Sequence, residues 1–513
     1  MSTTPDGLQF PLQSNQQKPS SSKTGRTIIA AALSNVNQHS AAQAQSEKNW
    51  RKQYTVHFKQ LVEQGLSSPE ASLKIAEDGL AQAHQTFEFY RDGQKHLLKD
   101  ALTLPADQLH SFKLTGSSQA APEWYVPYHG QKLQGYALLE QIERWENQGI
   151  MESSHANALR ECVERPEWFD LSDRTMVLFG AASEAGPLTW LAKWKANIVA
   201  IDLPSTRVWG KIVDTISQGN ATLYAPCTEA LAEDTPDDVL IEKLGANLLT
   251  QIPEIAKWLL QFEPDLDLAA IAYLDGEKHV RVSMAMDAIM KYVSEQKANT
   301  SLMYMCTPTD VYAVPSEVIE ASKVKYAERS KAQTLISKGV STVSRKHFFQ
   351  KNAHELIQSG DQSYGICDCL VVEQGPNYAL AKRIQQWRAT LARAQGQRVS
   401  INIAPSTTTY SVTKNPLLKA AFNGASLFDV EAFAPETTNA LMAALWIHDL
   451  RNATSVANPE VKLNHPLELM MQGANHGGLW RVAYLARTAL PFAALYGFAT
   501  EKLPKGLLSK LKK

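Results

Sequence analysis

Tyr378 and Lys382 close the segment Tyr378-Ala379-Leu380-Ala381-Lys382. Residues four apart share one face of a helix, so the ammonium can sit beside the phenol, lower its pKa and let it exchange a proton near neutrality. Tyr128–Lys132 and Tyr410–Lys414 repeat the spacing, so position along the chain must choose between the pairs. A second pattern is Gly180-Ala181-Ala182-Ser183-Glu184-Ala185-Gly186-Pro187, at the end of the apolar run Thr175–Phe179 and before a helix expected from near Leu188. The first glycine permits a sharp backbone reversal, and small residues such as Ser183 and Gly186 let a helix N-terminus approach a pyrophosphate. The run Asn197–Ile201 then ends in Asp202, 22 residues beyond Gly180. An acid there can accept hydrogen bonds from both hydroxyls of an adenosine ribose and repel a 2′-phosphate, which favours NAD over NADP, although Arg207 lies close by.

These residues must be positioned by a framework, and the texture of the chain after Asp173 indicates which. Short apolar runs alternate with helical segments, the pattern of an α/β fold with a parallel sheet wrapped by helices. The expected strands are Thr175–Phe179, Asn197–Ile201, Thr222–Ala225, Leu268–Tyr273, Ser301–Cys306 and Arg398–Ile403. Six strands are what a full doubly wound dinucleotide-binding sheet needs.

Only the Tyr378 pair is followed by a long helix, Ala379 to about Ala394, a glycine at Gly396 and the strand Val399-Ser400-Ile401-Asn402-Ile403-Ala404-Pro405. That order resembles the short-chain dehydrogenase/reductase family, in which the catalytic helix leads to a strand ending in an N-x-x-P-G-like motif beside the nicotinamide. The resemblance runs from about Thr175 to Asn452 and implies a Rossmann-type domain over 173–452. It implies Tyr378 as the acid/base, Lys382 as the residue that tunes it and holds the nicotinamide ribose, and Thr307 as the hydroxyl that orients the substrate carbonyl. Thr309 is the alternative for that hydroxyl. Cofactor contacts are implied for Gly180, Ser183, Gly186, Asp202, Lys382, Asn402 and Pro405. Tyr128 and Tyr410 fall outside the catalytic place and read as structural.

The sequence also departs from the family. Glu184 occupies the middle glycine position and Ser406 the last one, Ala272-Tyr273-Leu274-Asp275-Gly276 replaces an N-N-A-G-like segment, and no asparagine stands on the helix Val280 to Glu295. Thr307 and Tyr378 are 71 residues apart, which makes about 311–371 an insertion. It carries Lys323, Lys325, Arg329, Lys331, Lys338, Arg345, Lys346 and Lys351, and reads equally as a basic lid where substrate enters and as a solvated helical face. Two functions follow: an NAD(P)-dependent oxidoreductase acting on a small-molecule or acyl and lipid-like substrate, or a catalytically inactive dinucleotide-binding scaffold.

Outside this core, residues 1–47 read as a disordered leader, 48–170 as a mostly helical extension and 453–513 as an apolar and basic tail. Pro69 after Ser67-Ser68 marks a helix start. The cationic amphipathic end, Lys502 to Lys513, suits contact with a membrane surface as well as packing on the domain. A net charge of -1 and 44% hydrophobic residues give no global field for nucleic acid. Five cysteines without repeated pairs, with Cys367-Asp368-Cys369 too small a set for zinc, point to free thiols and no metal. The expectation is a cytoplasmic protein, peripheral at a membrane if the tail docks, and compatible with a homo-oligomer.

Overall fold

The computed structural model describes residues 5–12, 19–262, 265–352 and 356–502. Its main sheet has seven strands: β1 (His110–Thr115), β2 (Thr175–Phe179), β3 (Asn197–Ile201), β4 (Thr222–Cys227), β5 (Leu266–Ala270), β6 (Ser301–Cys306) and β7 (Val399–Ile403). They lie in the order β7-β6-β5-β2-β3-β4-β1, with β2 to β7 parallel and β1 antiparallel on β4. Runs such as Met176-Val177-Leu178-Phe179 are buried because helices cover both faces of the sheet, which suits continuous apolar sequence rather than alternation. The chain leaves β2 outward through β3 and β4, then returns to the other side of β2 for β5. The order therefore reverses at β2, and the connections diverge at its carboxyl end.

The fifth strand is Leu266–Ala270 rather than Leu268–Tyr273. Tyr273 thus leaves the ladder and, with Asp275, belongs to the loop that follows. The edge strand β1 comes from the segment expected to be mostly helical. His110-Ser-Phe-Lys-Leu-Thr115 alternates, with Phe112 buried between exposed Ser111 and Lys113, and its register runs from His110 opposite Cys227 to Thr115 opposite Thr222.

Among the helices are α1 (Ser21–Ser34), α2 (Pro69–Thr86), α3 (Glu277–Gln296), α4 (Lys331–Val343), α5 (Pro376–Ala394), α6 (Pro416–Asn423) and α7 (Ala486–Lys502). The leader expected to be disordered is helical over α1 and again over Gln38–Ser46. Ser20 caps α1 by accepting the Lys23 N–H at 3.3 Å, and Ile28, Ile29, Ala32 and Leu33 are fully buried. Tertiary packing, not propensity, makes this polar segment fold. Ser68 caps α2 on the Ala71 N–H at 3.1 Å, with Pro69 in the first turn, as the sequence predicts.

Helix α5 is held by buried charge. Arg388 donates to both oxygens of Asp287 on α3 at 2.7 and 2.9 Å, and His84 on α2 meets Asp287 Oδ2 at 2.6 Å. Arg383 and Gln386 reach Asp310, just beyond β6, at 3.1 and 2.8 Å. Removing one partner of such a buried pair costs about 3–5 kcal/mol, because the other charge is stranded. The position of α5 against β6 is therefore strongly specified.

The inserted segment builds a small antiparallel sheet from Val311–Pro315, Ile357–Ser359 and Gln362–Asp368, with the Ser316–Ala327 helix and α4 between its strands. It docks on the C-terminal segment: Ser322 Oγ donates to Val482 O at 2.7 Å, Arg329 to the Tyr484 hydroxyl at 2.8 Å and Arg487 to Asp368 at 2.7 Å. Helix α7 continues through Pro491 and packs on α6. A Cβ at Gly497 would stand 1.9 Å from Ala420 O, so the crossing needs glycine there. The residues after Lys502 in the basic tail lie outside the described residues. No helix among the described residues is long and apolar enough to cross a membrane.

Candidate functional site

A cleft of about 1020 Å³ opens at the carboxyl ends of β2, β3, β6 and β7 and is lined by Gly180, Ser183, Asp202, Thr307, Tyr378, Lys382 and Pro405, among others. At one end is the turn after β2. Gly180 has φ +88°, and a Cβ there would come within 2.4 Å of Ala272 Cα, so only glycine lets the turn lie this close to the loop after β5. Asp202 Oδ2 accepts the Ala182 N–H at 2.9 Å and Oδ1 the Leu203 N–H at 2.8 Å. Burial raises the Asp202 carboxyl above its ordinary range, and these two donors oppose the rise. Each oxygen keeps a second lone pair for a ligand hydroxyl.

Two expectations at this end need correction. Gly186 does not line the cleft: it packs beneath the turn, where a Cβ would be 3.1 Å from Ile271 Cδ1. The helix after the turn is one turn long, Leu188–Leu191, too short to supply the macrodipole expected for a pyrophosphate. What remains is a small-residue turn braced by Asp202.

At the other end, Tyr378 stands in the first turn of α5, which Gly375 (φ +84°) and Pro376 start. Thr307, one residue past β6, stands beside the Tyr378 phenol and lies 2.8 Å, hydroxyl to hydroxyl, from Thr309. Lys382 Nζ donates to Met305 O at 2.9 Å and to Gln385 Oε1 at 3.2 Å, and is 5.9 Å from the Tyr378 ring centroid. Burial pushes the phenol of Tyr378 well above its usual range, while the neighbouring Thr307 hydroxyl opposes the rise. Burial pulls the Lys382 ammonium down. The expected lowering of the phenol by Lys382 is therefore not realised: the ammonium lies over the ring and is occupied by the β6 carbonyl.

Asn402 also lies off the cleft. Its Nδ2 donates to Asp449 Oδ2 at 2.8 Å and Ser400 Oγ at 3.2 Å, a buried network that ties β7 to the Pro435–Arg451 helix. Tyr128 is remote, with its hydroxyl on Glu431 Oε1 at 2.6 Å. Of the insertion, only Val371 reaches the cleft, so the basic segment is not its lid. The cover comes from residues 404–422, including Tyr410, which the sequence reading assigned no part in the site. Glu184 Oε2 accepts the Tyr410 N–H at 2.9 Å, and Lys414 Nζ meets Asp275 Oδ2 at 2.7 Å. Ser21, Ser22 and Arg51 also line the cleft, which brings the N-terminal segment into the site.

His279, in the first turn of α3, is the polar residue the sequence did not single out. It is fully buried, lines the cleft and stacks on Tyr378 with ring centroids 5.3 Å apart. Neither ring nitrogen has a partner. Burial first, and Lys382 second, hold its pKa well below the ordinary histidine value, so the ring is neutral and offers one donor and one acceptor.

No family model, curated protein or solved structure matches the chain. The chemistry must therefore be read from the side chains. The wall formed by Thr307, Tyr378, His279 and Lys382 combines a hydroxyl, a protonated phenol, a neutral imidazole and a half-buried cation. Such a set can bind and protonate an oxygen and stabilise charge that develops on it. Among the described residues no three His, Cys, Asp or Glu side chains gather to hold a metal.

Proposed function

We propose that the chain binds a nicotinamide dinucleotide, NAD in preference to NADP, along the carboxyl edge of a Rossmann-type sheet and interconverts a carbonyl and an alcohol. The observation that carries this reading is the single cleft that joins the Tyr378, Lys382 and Thr307 wall to the Gly180 turn and Asp202. Two features support it. Strands β4-β3-β2-β5-β6-β7 follow the order of doubly wound dinucleotide-binding sheets, and the cleft straddles the reversal at β2, where such folds bind ligands. The cleft also stands at the upper end of the roughly 300–1000 Å³ typical of ligand and cofactor sites.

The residues present fit the cofactor. Gly180 admits the close approach of a diphosphate, Asp202 can receive ribose hydroxyls, and Lys382 has three donors, of which two are used in named bonds. The bound cofactor would supply or take the hydride. Thr307 orients the substrate oxygen and Tyr378 holds the proton it receives. Because burial keeps Tyr378 protonated, the resting site is poised for carbonyl reduction. Leu274, Val282, Leu418 and Phe422 add apolar lining, which suits an acyl or lipid-like substrate.

Titration with NADH and NADPH, followed by nicotinamide fluorescence, tests this reading. NADH should bind more tightly, and Asp202→Ala should erase most of the difference. Absence of binding by either would remove the proposal. Binding without turnover on any ketone, aldehyde or acyl thioester would leave a catalytically inactive dinucleotide-binding protein, a reading consistent with the engagement of Lys382 Nζ by Met305 O and Gln385 Oε1.

A further inference from the structure

Helix α4 has its polarity reversed. At about 100° per residue, Ala332, Leu335, Ile336, Gly339, Val340 and Val343 share one face, while Thr334, Ser337 and Ser341 share the opposite one. A helix on a globular protein turns its apolar face to the core. Here the one buried residue of the helix is Ser337, which accepts a hydrogen bond from Arg329 at 3.1 Å. Leu335, Ile336 and Val343 are 75%, 62% and 88% exposed. A Ser330–Gln333 capping box fixes the start of the helix. Phe348 and Phe349, just after it, pack on Phe492 of α7 with ring centroids 5.3 and 4.3 Å apart. The exposed face is thus presented by a segment anchored to the fold.

The charge around this face identifies what covers it. Residues 329–352 contain Arg329, Lys331, Lys338, Arg345, Lys346 and Lys351 and no aspartate or glutamate, although the whole chain has a net charge of -1. Lys331 and Lys338 fall along one edge of the apolar face. A second copy docked through the same face would bring two such cationic segments together, which like-charge repulsion opposes. Apolar side chains bordered by lysines match the boundary between acyl chains and anionic head groups, where lysine stems lie along the apolar layer and ammoniums stay in the phosphate layer.

We propose that α4 seats the protein on an anionic bilayer surface, with Leu335, Ile336 and Val343 in the acyl boundary and Lys331, Lys338, Arg345 and Lys346 at the head groups. This docking is independent of what the cleft binds. The test is flotation of the full chain with vesicles of phosphatidylcholine alone and with about three in ten lipids replaced by phosphatidylserine. Binding is expected on the anionic vesicles only and should fall with added salt. The triple variant L335S/I336S/V343S should lower the bound fraction at least about tenfold with an unchanged melting temperature, because the three side chains are solvent-exposed. K331E/K338E should weaken binding as well. The proposal is overturned by equal binding to both vesicle types, by no binding, or by binding that survives the triple variant but is lost on deletion of residues 503–513. Concentration-dependent self-association in lipid-free buffer that the triple variant abolishes would also overturn it, and would assign the face to a second copy.

Discussion

The carboxylate of Glu184 accepts the backbone N–H of Tyr410 at 2.9 Å, joining the turn after β2 to the segment that covers the cleft. This gives a physical reason for an acid where a third small residue would be expected: it latches the cover rather than facing a phosphate. The Asp275–Lys414 pair at 2.7 Å spans the mouth beside it. Both contacts are exposed, so each contributes on the order of 1 kcal/mol or less.

Weakening that latch should change ligand exchange more than affinity for the closed form. Glu184→Ala is expected to speed NADH release by up to about fivefold, the rate equivalent of roughly 1 kcal/mol. Lys414→Ala should act in the same direction. Stopped-flow displacement of bound NADH measures this, and unchanged release in both variants would show that the 404–422 segment does not gate the cleft.

Tyr378→Phe removes the proton donor and almost no volume. Turnover should fall by at least about a hundredfold, the usual loss with general acid/base catalysis, while NADH binding persists. Lys382→Met should reduce both activity and cofactor affinity. Tyr128→Phe and Tyr410→Phe should leave the chemical step intact. A substrate whose turnover survives Tyr378→Phe would show that another group carries the proton.

His279 gives a prediction in which stability and function move oppositely. Two buried ring nitrogens without partners are costly, at about 1–3 kcal/mol per unsatisfied group. His279→Phe keeps the stack on Tyr378 and removes that cost, so the melting temperature should rise. Turnover or substrate affinity should fall, because the hydrogen bonds reserved for the ligand are gone. A variant that is less stable, or fully active, would make His279 an ordinary core residue.

Acid should unfasten the C-terminal segment through Glu152. Burial by itself would raise this carboxyl, but hydrogen bonds and charge from His476 and Arg481 hold it at about 2; Arg481 binds both oxygens, at 3.0 and 2.7 Å, and stays charged throughout. Since the folded value lies below the unfolded 4.5, the contribution is fully present above that pH and is lost as pH falls toward 2. It amounts to roughly 3 kcal/mol. Acid unfolding of Glu152→Gln should lack this component, and an unchanged slope of stability between pH 4.5 and 2 would sink the assignment.

The parallel strands could be read from the sequence because each is a short apolar run bounded by turn residues, and Gly180, Asp202, Tyr378, Lys382 and Thr307 could be placed from where those runs end. Edge strand β1 was hidden because six alternating residues in a helical neighbourhood give a weak signal. The α1 helix was hidden because its burial depends on partners distant in sequence, such as Leu380, which lies 3.7 Å from a Cβ built at Gly25. Loop length could not reveal that residues 311–371 turn toward Val482 and Tyr484 while 404–422 cover the cleft. Nor does anything local to His279 mark it: its importance arises from the stack on Tyr378.

Strand β1 also bears on how the protein can be dissected. It closes the side of β4 with six residue pairs, His110 to Thr115 against Cys227 to Thr222. A fragment beginning at about residue 173 would present that side as a bare ladder of backbone donors and acceptors, a template for strand exchange between molecules. Recombinant expression of the 173–513 fragment alone is therefore expected to give inclusion bodies, and supplying 1–170 as a separate polypeptide should restore solubility by complementation. A truncation that removes residues 1–170 without supplying them separately would therefore cost the cell a soluble product.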